Sequence, residues 1–441
     1  MKKVSLIAAA VASALVAGSA FAESEVALDV TSGDSAMEVE VKNPTDVIAD
    51  GWEVHGYMSS NVRVVDGTTV DTEFGKPDYK TAGTHGKSTN QVEFVIKKHS
   101  EYQNGVWADY VLRTEYGNGN SYAYSSSGSQ KANTTAQFEV KEAFVELGGI
   151  LGEDTSIWGG QRFLNRAAGI LSGEFWKQSS GIGAGIQTKL DGKTAGIAYV
   201  MADPDAGQVA PGAERTTASS VDLYYYGVDA GIGSLDFDFK YGKKVVDGEN
   251  EDGMGAAVTL NTSYYGLDGW TQNAIAYGSG VMQNRGVNFG GWSGGNDDAE
   301  SLFLTSYGVL NISEKWQLGT EVTYITALDQ LWGAEGLTRY IVAARPSYKL
   351  NDNVRLEATA SYGHEEGDEG YWGRTGDDLE SNIINLEIAT AFTANSDYFG
   401  RPQVKPYISY IKADDEASAK QIGIDSGDDE FVFGVHTEIW F

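Results

Sequence analysis

The sequence predicts an all-β fold, a transmembrane antiparallel β-barrel, on three observations. It opens with an export leader, its later segments alternate apolar and polar residues with charges at mid-strand, and its connections are either short turns or long polar stretches. The final segment shows the alternation most clearly. Phe431, Phe433, Val435, Thr437, Ile439 and Phe441 share one face, and Val432, Gly434, His436, Glu438 and Trp440 share the other. A soluble sheet resting on a core would read the same way, so the rest of the chain has to decide.

From the N-terminus, Lys2 and Lys3 precede an apolar run and an Ala20-Phe21-Ala22 cleavage signature. Residues 1–22 therefore read as a secretory signal peptide, with the mature chain starting at Glu23. No later stretch approaches the roughly 20 apolar residues of a membrane helix. Residues 23–50 are acidic, contain Pro44 and lack heptad spacing, which reads as a short periplasmic extension. The expected division is leader 1–22, extension 23–50 and barrel 51–441.

Beyond Trp52 the two-residue period recurs. Leu235, Phe237, Phe239 and Tyr241 alternate with Asp236, Asp238, Lys240 and Gly242, and Leu318, Thr320, Val322 and Tyr324 with Gln317, Gly319, Glu321 and Thr323. Leu356 and Tyr362 alternate with Arg355 and Glu357 in the same way, as do Ile384, Leu386 and Ile388 with Asn385 and Glu387. Mid-strand charges are costly against lipid and cheap against a wet lumen, so the barrel uses every one of them. Turns such as Ile312-Ser313-Glu314-Lys315 and Tyr348-Lys349-Leu350-Asn351-Asp352-Asn353 read as tight hairpins on the periplasmic side. The Gly, Ser and Asp-rich stretches 118–135, 203–219, 278–300, 363–380 and 413–429 read as external loops.

Composition excludes several functions. The chain has no cysteine, so it has no disulfides and no thiol nucleophile, and its 62 acidic against 32 basic residues are the wrong sign for nucleic acid. His55, His85, His99, His364 and His436 lack metal-ligand or triad spacing, and Gly181, Gly183 and Gly185 lack the Lys-Ser/Thr of a phosphate loop. The expectation is no enzyme, no metal site and no cofactor.

Seven landmarks carry a resemblance. They are Ile157-Trp158-Gly159-Gly160-Gln161-Arg162-Phe163 through Gly181-Ile182-Gly183-Ala184-Gly185, His55-Gly56-Tyr57, Lys141-Glu142-Ala143, Gly269-Trp270, Arg345-Pro346-Ser347-Tyr348-Lys349, Phe399-Gly400-Arg401-Pro402 and Glu438-Ile439-Trp440-Phe441. In kind and order they resemble the maltoporins, the sugar-specific porins that include the sucrose porins. The resemblance implies an 18-stranded barrel with an inward-folded constriction loop, assembled as a homotrimer in the outer membrane of a Gram-negative bacterium, beside lipopolysaccharide. Period two and chain length alone equally allow a 16-stranded general porin.

The resemblance also implies a site. Members of the family line the pore with an aromatic slide for a glucosyl chain, which falls here on Tyr57, Trp270, Phe399 and Trp440. A further track tryptophan does not align, and Tyr122 or Tyr124 stands nearest to replace it. Charged residues face the slide, with Lys141 where the family usually has Arg and Arg166 keeping its Arg. Phe175 takes the place of the constriction tyrosine. Ser59 replaces a lumen Arg, and Gly173 and Gln178 replace Asp, which leads to the expectation of a wider or less polar constriction of the sucrose-porin kind. The implied function is passive diffusion of oligosaccharides, maltodextrin- or sucrose-like. The alternatives are a general diffusion porin without sugar selectivity, or a structural barrel serving as adhesin or phage receptor.

Overall fold

The computed structural model describes residues 47–75, 80–117, 137–204, 216–246, 249–294, 298–368 and 379–441. The leader, most of the extension, Tyr122 and Tyr124 lie outside the described residues. Among the described residues eighteen strands build one wall. They are β1 Val47–Val65, β2 Asn90–Tyr102, β3 Trp107–Gly117, β4 Gln137–Gly148, β5 Ser156–Ala168 and β6 Phe175–Leu190. There follow β7 Lys193–Ala202, β8 Thr217–Asp229, β9 Gly233–Val246, β10 Glu249–Tyr264, β11 Leu267–Ser279 and β12 Glu300–Asn311. The last six are β13 Trp316–Ala327, β14 Thr338–Asn351, β15 Val354–Gly367, β16 Leu379–Thr393, β17 Gln403–Ala413 and β18 Asp429–Trp440. Strand β1 starts inside the segment read as extension.

Each strand pairs antiparallel with its sequence neighbours. Strand β18 then returns to β1, with Tyr57 opposite Trp440 and Val64 opposite Phe433, and closes the barrel. The seam is finished by Phe441, whose N–H donates to the Gly56 carbonyl (3.1 Å) while the Gly56 N–H donates to the Phe441 carbonyl (2.9 Å). The Phe441 ring lies where a Cβ at residue 56 would stand, so glycine is required there by contact.

The predicted parity holds. Phe431, Phe433 and Val435 are exposed outside, whereas Val432, His436 and Glu438 are buried inside. Phe237 and Phe239 face out and Asp238 and Lys240 in, and Ile384, Leu386 and Ile388 face out while Asn385 and Glu387 face in. The physical reason is the bilayer, since a charge on the lipid face costs about 2–4 kcal/mol at the midplane. The strand ends that flank the β3–β4, β7–β8, β11–β12, β15–β16 and β17–β18 connections share one rim, and the start of β1, the end of β18 and the tight turns share the other. One turn is tighter than expected, because β14 runs on to Asn351 and β15 starts at Val354.

The core lies inside the barrel, where several of the described loops and one turn fold, including the β17–β18 loop, which buries Ala419, Ile422 and Ile424, and the β13–β14 loop, which buries Leu331, Ala334 and Leu337. The β1–β2 loop docks on β15–β17: Thr84 donates to Glu387 through N–H (2.7 Å) and hydroxyl (2.6 Å), and the Ala82 N–H donates to Ser361 Oγ (3.0 Å). The β5–β6 loop crosses to β13, where Glu321 accepts from the Leu171 N–H (2.6 Å), the Ser172 N–H (3.2 Å) and the Ser172 hydroxyl. The β11–β12 loop joins β6 through a parallel bridge, Asn288 opposite Gln178 and Phe289 opposite Ser179. Finally the β16–β17 turn, residues 394–402, rises inward from the opposite rim. Ala82, Leu171 and Tyr398, one from each of three intruding segments, meet Val309, Ile341 and Ala343 of the wall in one buried cluster. The β12–β14 side of the lumen is thus filled with protein.

Candidate sugar channel

Trp270 sits on the inner face of β11, opposite Val309 of β12. Its ring centroid lies 6.3 Å from that of Phe399, tilted by 31°, and 6.3 Å from Tyr307, edge-on. Phe399 belongs to no strand, and the 394–402 turn carries it into the lumen. That turn is held by the Tyr398 N–H donating to Gln317 Oε1 (2.9 Å), by Arg355 donating to the Asp397 carbonyl, and by a Lys349–Asp397 ion pair. The Lys349 ammonium holds the Asp397 carboxyl below the usual carboxylate range.

Arg401 links the turn to the next aromatic. Its guanidinium lies over the Trp440 ring (4.5 Å to the centroid), and its Nε donates to Glu438 Oε2 (2.5 Å). The Tyr57 hydroxyl donates to the other oxygen of the same carboxylate (3.2 Å). Trp270, Phe399, Trp440 and Tyr57 therefore form one arc, in that order, with Arg401 and Glu438 as its polar joint. Arg401 stands two residues after Phe399 in sequence, but only the fold shows that it stacks on Trp440.

Next to the arc is a charged wall. Glu93 pairs in register with Tyr57 and accepts from Arg113 Nε (2.8 Å), so the wall begins one strand away. Lys141 is the extra residue of a bulge between Arg113 opposite Glu142 and Thr114 opposite Val140, which turns its ammonium to Glu139 and Glu115 (3.5 Å). Arg166 lies between the rings of Phe163 (4.5 Å) and Phe175 (4.1 Å). Its buried Nε has no hydrogen-bond acceptor among the described residues.

Two of the three departures do not open the pore. Gln178 is buried, its amide donates to Asn288 Oδ1 (3.3 Å), and the β11–β12 loop covers it. Ser59 is buried too, with its hydroxyl 3.0 Å from His436 Nε2 beneath the β1–β2 loop. The expected widening at these positions is replaced by loop packing. Gly173 adopts φ +74°, in the left-handed region that glycine enters without strain, so an Asp there would be strained.

A family model described as LamB porin matches residues 52–441. A protein of Vibrio cholerae serotype O1 (strain ATCC 39315 / El Tor Inaba N16961) named Maltoporin is 24% identical over 471 residues, covering 100% of both chains. One of Hahella chejuensis, also named Maltoporin, is 26% identical over 336 residues, covering 73% of this chain and 77% of its own. Among solved structures, Acinetobacter baumannii OccAB4 aligns over 90% of this chain and 100% of its own, at 12% identity and a TM-score of 0.46.

Proposed function

The chain belongs to the LamB porin family, and from that premise we propose how it works as a sugar-specific porin of the Gram-negative outer membrane: oligosaccharides of maltodextrin or sucrose kind diffuse passively along Trp270, Phe399, Trp440 and Tyr57. The family is one of channels, and the reading involves no chemical step. The observation that carries it is Arg166, a guanidinium framed by two rings with a buried donor unspent on protein. Sugar C–H faces pack on aromatic rings while hydroxyls need donors and acceptors, and the arc and the Arg166–Lys141 wall supply both. Each contact is weak, since a millimolar affinity corresponds to only about 4 kcal/mol, and weak sites release quickly.

Residues 1–22 direct export. Loops on the rim away from the termini face outside, beside lipopolysaccharide. Assembly as a homotrimer is supported by a hollow on the outer wall, where Ala344, Pro346, Ala358, Ala360 and Pro406 stand among larger apolar neighbours.

The test is a planar-bilayer titration of maltohexaose, sucrose and a third oligosaccharide against ion current. Saturable block by one sugar, weakened in Trp440→Ala while open conductance holds or rises, is the expected result. Block that Trp440→Ala leaves unchanged would remove Trp440 from the path. Current without block by any sugar would favour a general diffusion porin, and absence of current a structural barrel.

A further inference from the structure

The β11–β12 loop buries almost all its apolar side chains and presents one. Val281, Met282, Val287 and Phe289 are 0% exposed, whereas Trp292 is 52% exposed. Exposure alone would leave it an ordinary surface residue, but its setting is built. The indole N–H donates to Asn288 Oδ1 (3.2 Å), which fixes the ring edge. Gly290 lies against the ring where a Cβ would collide, and the Gly290–Ser293 turn is tied in both directions, Ser293 N–H to Gly290 carbonyl (3.0 Å) and Gly290 N–H to Ser293 Oγ (3.1 Å). One ring face is therefore backed by backbone, and exposed area remains for a ligand.

The same asparagine ties this indole to the constriction. Asn288 donates through its amide to the Phe175 carbonyl (2.6 Å), and the Phe175 ring lies under the Arg166 guanidinium. Trp292, Asn288, Phe175 and Arg166 thus form a continuous chain of contacts from the long-loop rim to the charged wall. Trp292 stands outside the Trp270–Tyr57 arc, and none of the aligned slide positions corresponds to it.

We propose that Trp292 is an outer carbohydrate-binding platform, which stacks one pyranose ring of an incoming oligosaccharide and hands it to the Phe175–Arg166 constriction. The proposal rests on the sugar-channel reading above and adds direction to it. A stack at the outer rim captures sugar arriving from the loop side and has little effect on sugar arriving from the turn side. Its ring shares the Asn288 anchor with the constriction, so capture and entry are spatially coupled.

The experiment measures sugar association rates from current fluctuations in single channels, with maltohexaose added to one side at a time. In Trp292→Ala the rate from the loop side is expected to fall about three- to tenfold, the scale of one aromatic contact, with open conductance unchanged. The rate from the turn side should stay within about twofold, and Trp292→Phe, which keeps a ring, should recover most of the loss. Should Trp292→Ala not assemble, Trp292→Gln gives the same readout. Equal loss from both sides, or no loss from either, overturns the platform while leaving the channel reading intact. Absence of block in the unmodified protein removes that reading and the platform together.

Discussion

Arg166 combines a buried donor with a missing partner, which is why it carries the proposed sugar contact. A guanidinium normally spends its donors on carboxylates, as Arg113 does on Glu93 and Arg401 on Glu438. Arg166 instead has aromatic faces at 4.5 and 4.1 Å and a buried Nε without an acceptor. In the proposed channel, a sugar hydroxyl entering the constriction would satisfy that donor without displacing a protein bond. Arg166→Ala is expected to weaken sugar block about ten- to hundredfold, the roughly 1.5–3 kcal/mol of one hydrogen bond to a charged group, measured by titrating conductance with the blocking sugar. Arg166→Lys should recover only part of this, because an ammonium cannot spread flat between two rings. Arg401 acts differently, fixing Trp440 and Glu438. Arg401→Ala should therefore weaken block about as much as Trp440→Ala, without adding to it in the double variant.

At the scale of elements, the lumen is shaped by segments that leave the wall. Glu321 anchors the β5–β6 loop by accepting two backbone N–H bonds and a hydroxyl, and it is fully buried beneath that loop. Bonds to a charged acceptor contribute about 1.5–3 kcal/mol each, so Glu321→Ala should release the loop while the wall persists. The expected outcome is higher, noisier open current and loss of sugar block, read in single channels, with unchanged β-sheet circular dichroism. The seam makes a contrasting case. Gly56→Val drives a side chain into the Phe441 ring and breaks the one place where β18 meets β1 at its end. This substitution should slow or prevent barrel assembly, visible as loss of heat-modifiable gel mobility, and leave no assembled population with merely altered sugar binding.

The whole molecule is a wall turned inside out relative to a soluble sandwich, with apolar side chains outside and charge within. Its interior is partly filled around Ala82, Leu171 and Tyr398, and Tyr398 packs edge-on against Phe399 of the proposed sugar path. On the proposed trimer, the outer hollow at Ala344, Ala358 and Ala360 is the surface offered to a second copy. Ala358→Arg fills that hollow with a long charged side chain where a second copy would have to pack, and should shift detergent-extracted protein from the proposed trimer to monomer. Light scattering of the purified protein reads that shift directly, and an unchanged mass would place the interface elsewhere.

The sequence by itself determined what repeats locally. Side-chain parity in β9, β13, β15, β16 and β18 and the placement of Tyr57, Trp270 and Trp440 on inner faces were legible, because a strand side chain's face follows from its position alone. The strand number and the inward loop came from resemblance, since no local rule closes a barrel at eighteen. What only the tertiary structure decided is what fills the interior. Ser59 and Gln178 read as small groups at an opening and are covered by loops, while Phe399 reaches the path from a turn. Arg401 and Asn288 became joints only once distant segments met. Those outcomes depend on contacts between residues far apart in sequence, such as Tyr57 with Glu438, 381 positions away, and Leu171 with Glu321, 150 away. A pattern of period two carries no information about them, because it fixes which face a side chain takes and not what arrives to cover it.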